Sequence, residues 1–243
     1  MTDEEKQAII ANAKEYFRTK IEPAHEAKTK ECGKLSAFNV NPFLSKYLAQ
    51  FAFGDSSPES VAKALILPRV FGTSITTIFG TRMQQFCNDV LSSYASTAQG
   101  MDIEYIDASD QRRKYCQVKA GPNTINKDDV DSILNHFKSL RNLSVTNGQR
   151  IPQEDCILGV LYGDYDSLNP FYKEIESEGY PVLSGKEFWQ HLSGDENLYD
   201  DLIDALGDVA GEMNCADLLD DTIHKLAQEI SSLDDDSPLR FLK

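Results

Sequence analysis

The stretch that most limits what this chain can fold into is Gly100-Met-Asp-Ile-Glu-Tyr-Ile-Asp, followed by a polar turn and Lys114-Tyr-Cys-Gln-Val-Lys-Ala-Gly-Pro-Asn. Polar and apolar residues alternate on both sides of the turn. That spacing predicts two paired strands, at about 101–107 and 114–120. Side chains on a strand alternate faces, so Asp102 and Glu104 share one face and Ile103 and Tyr105 the other. On the second strand Tyr115, Gln117 and Lys119 share a face, opposite Cys116, Val118 and Ala120. With the latter three toward a core, an acid, an amide and an ammonium converge on the open face. Such a group can bind Mg²⁺ through a carboxylate and hold a water or phosphate beside a cation. The chemistry this points to is phosphodiester hydrolysis.

Around the hairpin the periodicity is helical. Residues 3–20 carry the stripe Ile9, Ile10, Ala13, Tyr16 and Phe17, with Pro23 as punctuation and 24–34 as loop or helix end. Phe43, Tyr47, Leu48 and Phe51 make a short helical face. Ser57-Pro58 reads as a cap opening a helix over 58–66, and a longer one over 75–95 buries Ile78, Phe79, Met83, Phe86, Val90 and Leu91. Asn126 and Asp129 form a capping-box-like start to a helix over 127–141 that buries Val130, Ile133, Leu134, Phe137 and Leu140. The continuous apolar run from Cys156 to Tyr162 suits a buried strand. From Gly185 to about Leu233 helices are expected, with Phe188, Trp189, Leu202, Ile203, Leu206, Leu218 and Ile223 among their inward residues. The pattern is α/β. With no repeat and no low-complexity linker, one domain over 1–243 is expected, with a core at about 73–165 and helical additions at 1–72 and 166–243.

Charge is distributed unevenly. The chain carries a net −15, which argues against a general nucleic-acid coat. Residues 111–150 nevertheless hold eight Lys/Arg against three Asp, and residues 151–243 hold five against twenty-two Asp/Glu. A basic footprint on an acidic body suits a protein that engages DNA in one cleft and repels it elsewhere. The five cysteines are scattered with no Cys-x-x-Cys, which predicts reduced thiols in a cytosol. The N-terminal residues lack the pattern of a secretory signal, and no apolar run approaches the roughly 18 residues of a membrane span.

A carboxylate followed one hairpin later by an acid-or-amide-x-Lys resembles the PD-(D/E)xK nuclease signature. The surrounding blocks narrow the resemblance. Gly100-Met-Asp-Ile-Glu-Tyr and Cys116-Gln-Val-Lys-Ala-Gly-Pro-Asn-Thr are similar to segments of PmeII-like type II restriction endonucleases. So are His25-Glu-Ala-Lys with Asn41-Pro-Phe-Leu, Leu158-Gly-Val-Leu-Tyr-Gly, and Phe188-Trp-Gln-His-Leu-Ser-Gly, all in the expected order. The resemblance implies a central mixed sheet flanked by helices. It also implies a homodimeric, Mg²⁺-dependent enzyme of the prokaryotic cytoplasm that cuts double-stranded DNA at a short, usually palindromic sequence.

Carried onto this chain, Asp102 would ligate Mg²⁺, with Gln117 in the place of the second carboxylate and Glu104 as a further candidate. Lys119 would orient or deprotonate the attacking water. A helix glutamate present in many members is Gln84 here. Asn123, Asn126 and Lys127, at a helix N-terminus, and Arg112 and Arg113, in the hairpin turn, are the candidate DNA contacts, although Arg112, Arg113 and Lys114 read more readily as a solvated turn. His136 and His224 have no sequence neighbours that would make a metal site, and Trp189 and His191 fit a packing face. Two rivals stay open: a non-specific repair nuclease, and a non-enzymatic DNA-binding protein on a degenerate nuclease scaffold, which the two glutamines favour.

Overall fold

The structure, a computed structural model, describes residues 2–91, 94–212 and 215–243; the side chains at 83, 84, 87 and 88 lie outside the described set, and with them the expectations for Gln84 and Met83. The chain divides into two compact units, Met1–Phe17 with Gly80–Val209, and Arg18–Phe79 with Ala210–Lys243.

The first unit opens with α1 (Asp3–Tyr16), takes in most of α5 (Ile75–Val90), and is built on a four-stranded mixed sheet. Strands β1 (Ile103–Ile106) and β2 (Arg113–Lys119) form the expected antiparallel hairpin, with Ile103 opposite Cys116 and Glu104 opposite Tyr115. Strand β3 (Cys156–Val160) runs parallel to β2, and β4 (Val182–Ser184) parallel to β3. Parallel neighbours need crossovers, and helices supply them. Helix α6 (Lys127–Thr146) joins β2 to β3, and α7 (Pro170–Ser177) lies between β3 and β4.

Helix α6 starts where the sequence predicts. The Asn126 side chain accepts from the Asp129 N–H at 3.1 Å, and the Asp129 carboxylate accepts from the Asn126 N–H at 2.9 Å. Its buried face, Val130, Ile133, Leu134, Phe137 and Leu140, packs in one cluster with Cys156, Leu158 and Val160 of β3. Each such side chain adds roughly 1.5–3 kcal/mol of burial. The opposite sheet face is covered by α8 (Gly185–Ser193). Gly159 has no side chain because a Cβ there would lie 2.5 Å from the Phe188 ring, and Trp189 Nε1 donates to the Leu161 carbonyl at 2.9 Å. Burial on both faces is why β3 reads as an unbroken apolar run rather than an alternation. This is the α/β core, a mixed sheet flanked by helices, that the sequence predicts.

Two elements go beyond the sequence reading. Strand β4 is three residues between Pro181 and Gly185, too short to show alternation, and α7 is one short helix behind an Asn169 cap. One inward residue is also corrected. Helix α9 (Leu198–Glu212) buries Leu198, Leu202, Ala205 and Val209, and Ile203, about 100° round the helix from Leu202, is exposed.

The second unit is helical: α2 (Glu22–Glu31), α3 (Ser45–Phe53), α4 (Pro58–Pro68) and α10 (Ala216–Ser231), with Leu35, Ala49, Ile66, Leu226 and Ile230 in its core. Pro23 does not break the chain into loop. It occupies the first turn of α2, where its missing N–H costs no hydrogen bond, and residues 24–31 continue as helix. Ser57 caps α4 with Pro58 behind it, as expected. The apolar-run reading needs one correction. By length and composition the helical stretch Pro58–Arg82 could cross a membrane, with a mean hydropathy of 1.3. Lys63 and Arg69 lie within it, however, and Val61, Ala62 and Ile66 are fully buried in a cluster with α10.

Candidate active site

Asp102 stands one residue before β1, and continuing the hairpin register sets it across from Gln117 on the same face. Its backbone N–H donates to the Cys116 carbonyl at 2.9 Å, and its Oδ2 accepts from the Val118 N–H at 2.7 Å. The carboxyl is thus pinned against the middle of β2. Burial pushes its pKa above the ordinary carboxylate range, and the Val118 N–H, Lys119 and His136 offset this only in part.

Gln117 is 9% exposed, so the open face expected for it is closed. Its neighbour in the parallel pair, Leu158, belongs to the core that α6 covers. The Gln117 amide nitrogen donates to the Gly100 carbonyl and to His136 Nδ1, the latter at 2.8 Å. A carbonyl can only accept, so the group facing Gly100 must be the NH₂ and the amide orientation is fixed. The Gln117 Oε1 is left buried with no partner.

Lys119 closes the group at the end of β2. Its Nζ lies 3.6 Å from Asp129, the acid that caps α6, and its side chain is partly exposed. The chain beyond it is held by two hydroxyls, since Thr124 and Tyr172 both donate to the Gly121 carbonyl, at 2.9 and 2.7 Å.

Asp102, Gln117 and Lys119 are therefore brought together, and with them His136, which sequence reasoning set aside. Nothing near His136 in the chain signals this; the only trace is Gly100. That glycine has φ +82°, and a Cβ on it would come within 2.8 Å of the His136 ring. Glu104 is occupied elsewhere: it accepts from Ser96 Oγ at 2.7 Å and from Arg113 at 3.0 Å.

The candidate DNA contacts are mostly engaged within the chain. Arg112 pairs with Asp155 and Glu154, Arg113 with Glu104, and Lys127 with Glu174. Asn126 is the α6 cap, and Asn123 is exposed. Lys114, read as part of a solvated turn, is instead 4% exposed and held by Asp110 at 2.5 Å and Asp155 at 2.9 Å.

The remaining histidines have partners within the chain. His191 pairs with buried Asp107 at 2.8 Å, His25 lies 3.0 Å from the Val70 carbonyl, and His224 lies 2.8 Å from Gln228. Burial alone would raise the Asp107 carboxyl, but His191 and Ser109 hold it below its ordinary range.

The donor set suits a hard divalent cation. Gln117 Oε1 is an orphaned oxygen, and among the described residues no donor is bonded to the second oxygen of Asp102. The cluster Glu22, Glu26 and Cys215, whose ligand atoms lie within 4.8 Å of one another, belongs to the second unit and not to the hairpin.

A family model for the type II restriction endonuclease EcoO109I matches residues 11–214. The chain belongs to that family. No curated protein matches it. EcoO109I-family membership supports a sequence-specific nuclease with DNA as substrate, and type II restriction endonucleases typically use a divalent metal. The matched span contains every residue of the hairpin site and His136.

Proposed function

We propose that this EcoO109I-family chain is a Mg²⁺-dependent type II restriction endonuclease of the prokaryotic cytoplasm, nearer to PmeII-like members by the blocks it shares with them. It cuts both strands of double-stranded DNA at a short sequence, with Asp102, Gln117 and Lys119 as active-site residues. The observation that carries this reading is the convergence of Asp102 and the unpartnered Gln117 oxygen beside a lysine, on strands of a nuclease-type sheet. Bound between Asp102 and Gln117, Mg²⁺ would supply positive charge at the scissile phosphate and a water of lowered pKa. Lys119, held by Asp129 but partly open to solvent, orients that water and stabilises the negative charge that grows on the phosphoryl oxygens. Asn123, exposed just ahead of the α6 cap, would meet a phosphate there. Glu104 would join the metal only on release from Ser96 and Arg113, and Arg112, Arg113 and Lys127 would reach DNA only on leaving their acids.

Digestion of a long sequenced DNA with Mg²⁺, against an EDTA control, tests the reading. Discrete, reproducible fragments are expected. A smear would sink the restriction reading in favour of a non-specific nuclease. Retained DNA binding without cleavage would favour a degenerate scaffold, for which a neutral amide at Gln117 is the specific support.

A two-fold symmetric site calls for two copies of the chain. We place their contact on α3 and the turn that leads into it, where Phe51 of the helix and Phe43 of the turn are 78% and 88% exposed and Tyr47 stacks on Phe51 at 6.0 Å. Exposed aromatic side chains grouped in this way often mark an interface between proteins. Tyr47→Glu combined with Phe51→Glu should convert a sedimenting dimer to monomer. A dimer that persists would move the contact elsewhere.

A further inference from the structure

We infer that His136 is a positioning residue: it holds the Gln117 amide so that the carbonyl oxygen, and not the NH₂ group, faces the metal site. This rests on the assignment of Asp102 and Gln117 made above. An amide is an ambiguous replacement for a carboxylate. A carboxylate presents an oxygen whichever way it turns, whereas a glutamine turned over presents two N–H donors and repels a cation. A site with glutamine here needs a device that selects one orientation.

The device is a pair of acceptors. Gln117 Nε2 has two hydrogens, and the Gly100 carbonyl and His136 Nδ1 take one each. One hydrogen bond would leave the amide free to swing about it; two fix its plane. Because the Gln117 nitrogen can only donate, His136 Nδ1 must be the acceptor, which puts the imidazole proton on Nε2. The close approach depends on Gly100, whose missing Cβ is what lets the ring reach Gln117. The Gln117 Oε1 is then left buried and unpartnered, on the residue beside Val118, whose N–H binds Asp102. A buried carbonyl oxygen with no donor is unfavourable unless a ligand completes it.

Calorimetric titration of the full chain with Mn²⁺, without DNA and so without turnover, tests this. His136→Leu should weaken Mn²⁺ binding by about tenfold, the usual effect of losing a residue that orients a metal ligand. His136→Asn, whose side-chain oxygen can accept as Nδ1 does, should restore most of the affinity. In a Gln117→Glu background, where orientation no longer matters, His136→Leu should change little. If His136→Leu does not melt cooperatively, His136→Ala removes the acceptor without adding bulk against Gly100.

Wild-type affinity in the Leu or Ala variant, with binding abolished in Asp102→Ala, would overturn the role of His136 and leave the active site standing. Equal losses in the Leu and Asn variants, or the same loss in the Gln117→Glu background, would overturn it as well. Unchanged binding in Asp102→Ala would instead bring down the assignment beneath it.

Discussion

Asp102→Ala should reduce cleavage by at least about a thousandfold, at the upper end of what one preorganised electrostatic contact supplies in an active site. The loss should be in the chemical step, so bandshift binding of specific DNA in Ca²⁺ should survive. Lys119→Ala should behave alike, for a different reason: it leaves the proposed ligand oxygens of Asp102 and Gln117 in place and removes the ammonium beside them. Asp102→Asn is the structural control, because its amide oxygen can still accept from the Val118 N–H. Single-turnover cleavage is the measurement. Rates within tenfold of wild type for either alanine variant would remove the hairpin from the mechanism.

The largest effect on stability should come from Asp155→Ala. Asp155 is 6% exposed and serves two cations at once, Arg112 and the 4% exposed Lys114. Burial by itself would lower the Lys114 pKa, but Asp110 and Asp155 more than offset it and hold the amine above its ordinary range. A raised lysine contributes stability that is fully present below its unfolded pKa and is lost only as pH climbs through the folded value. At neutral pH the whole contribution is in place. Removing Asp155 leaves the buried ammonium with Asp110 alone and frees Arg112 of its buried partner, at about 3 kcal/mol, the lower end of the cost of breaking a buried pair. For a chain of this size that is a fall in Tm on the order of 10 °C. Adding Lys114→Met should recover most of it. A calorimetric Tm within a degree or two of wild type in Asp155→Ala would refute the argument.

The hairpin, α6 and β3 were legible because each has a local signature: alternation, a reciprocal cap, an apolar run bounded by charge. The faces of β1 and β2 follow from period two alone, so Asp102, Gln117 and Lys119 could be grouped before any coordinates. The partners of those side chains could not. His136 reaches Gln117 only because α6 crosses back over β2, and no spacing within the helix encodes that. The reading of Gln117 on an open face failed for the same reason: the helix that covers it comes later in the chain. Lys114 was misread as solvated because Asp155, forty-one residues on, reaches it only through the parallel pairing of β2 with β3. Pro23 misled by its usual meaning, which does not hold in a first turn.

The ion pairs around the hairpin also bear on how the protein meets DNA. Five of the eight basic side chains in residues 111–150 (Arg112, Arg113, Lys114, Lys119 and Lys127) already face acids of the same chain. Charges neutralised internally displace few counterions from a duplex, and it is counterion release that makes most DNA binding strong and steeply salt-dependent. A chain arranged in this way should show little affinity for DNA in general and a shallow dependence on ionic strength. Its hold on a site would then come from the shape and edges of the bases, and the acids that silence its own lysines and arginines would keep it from lingering on the wrong sequence.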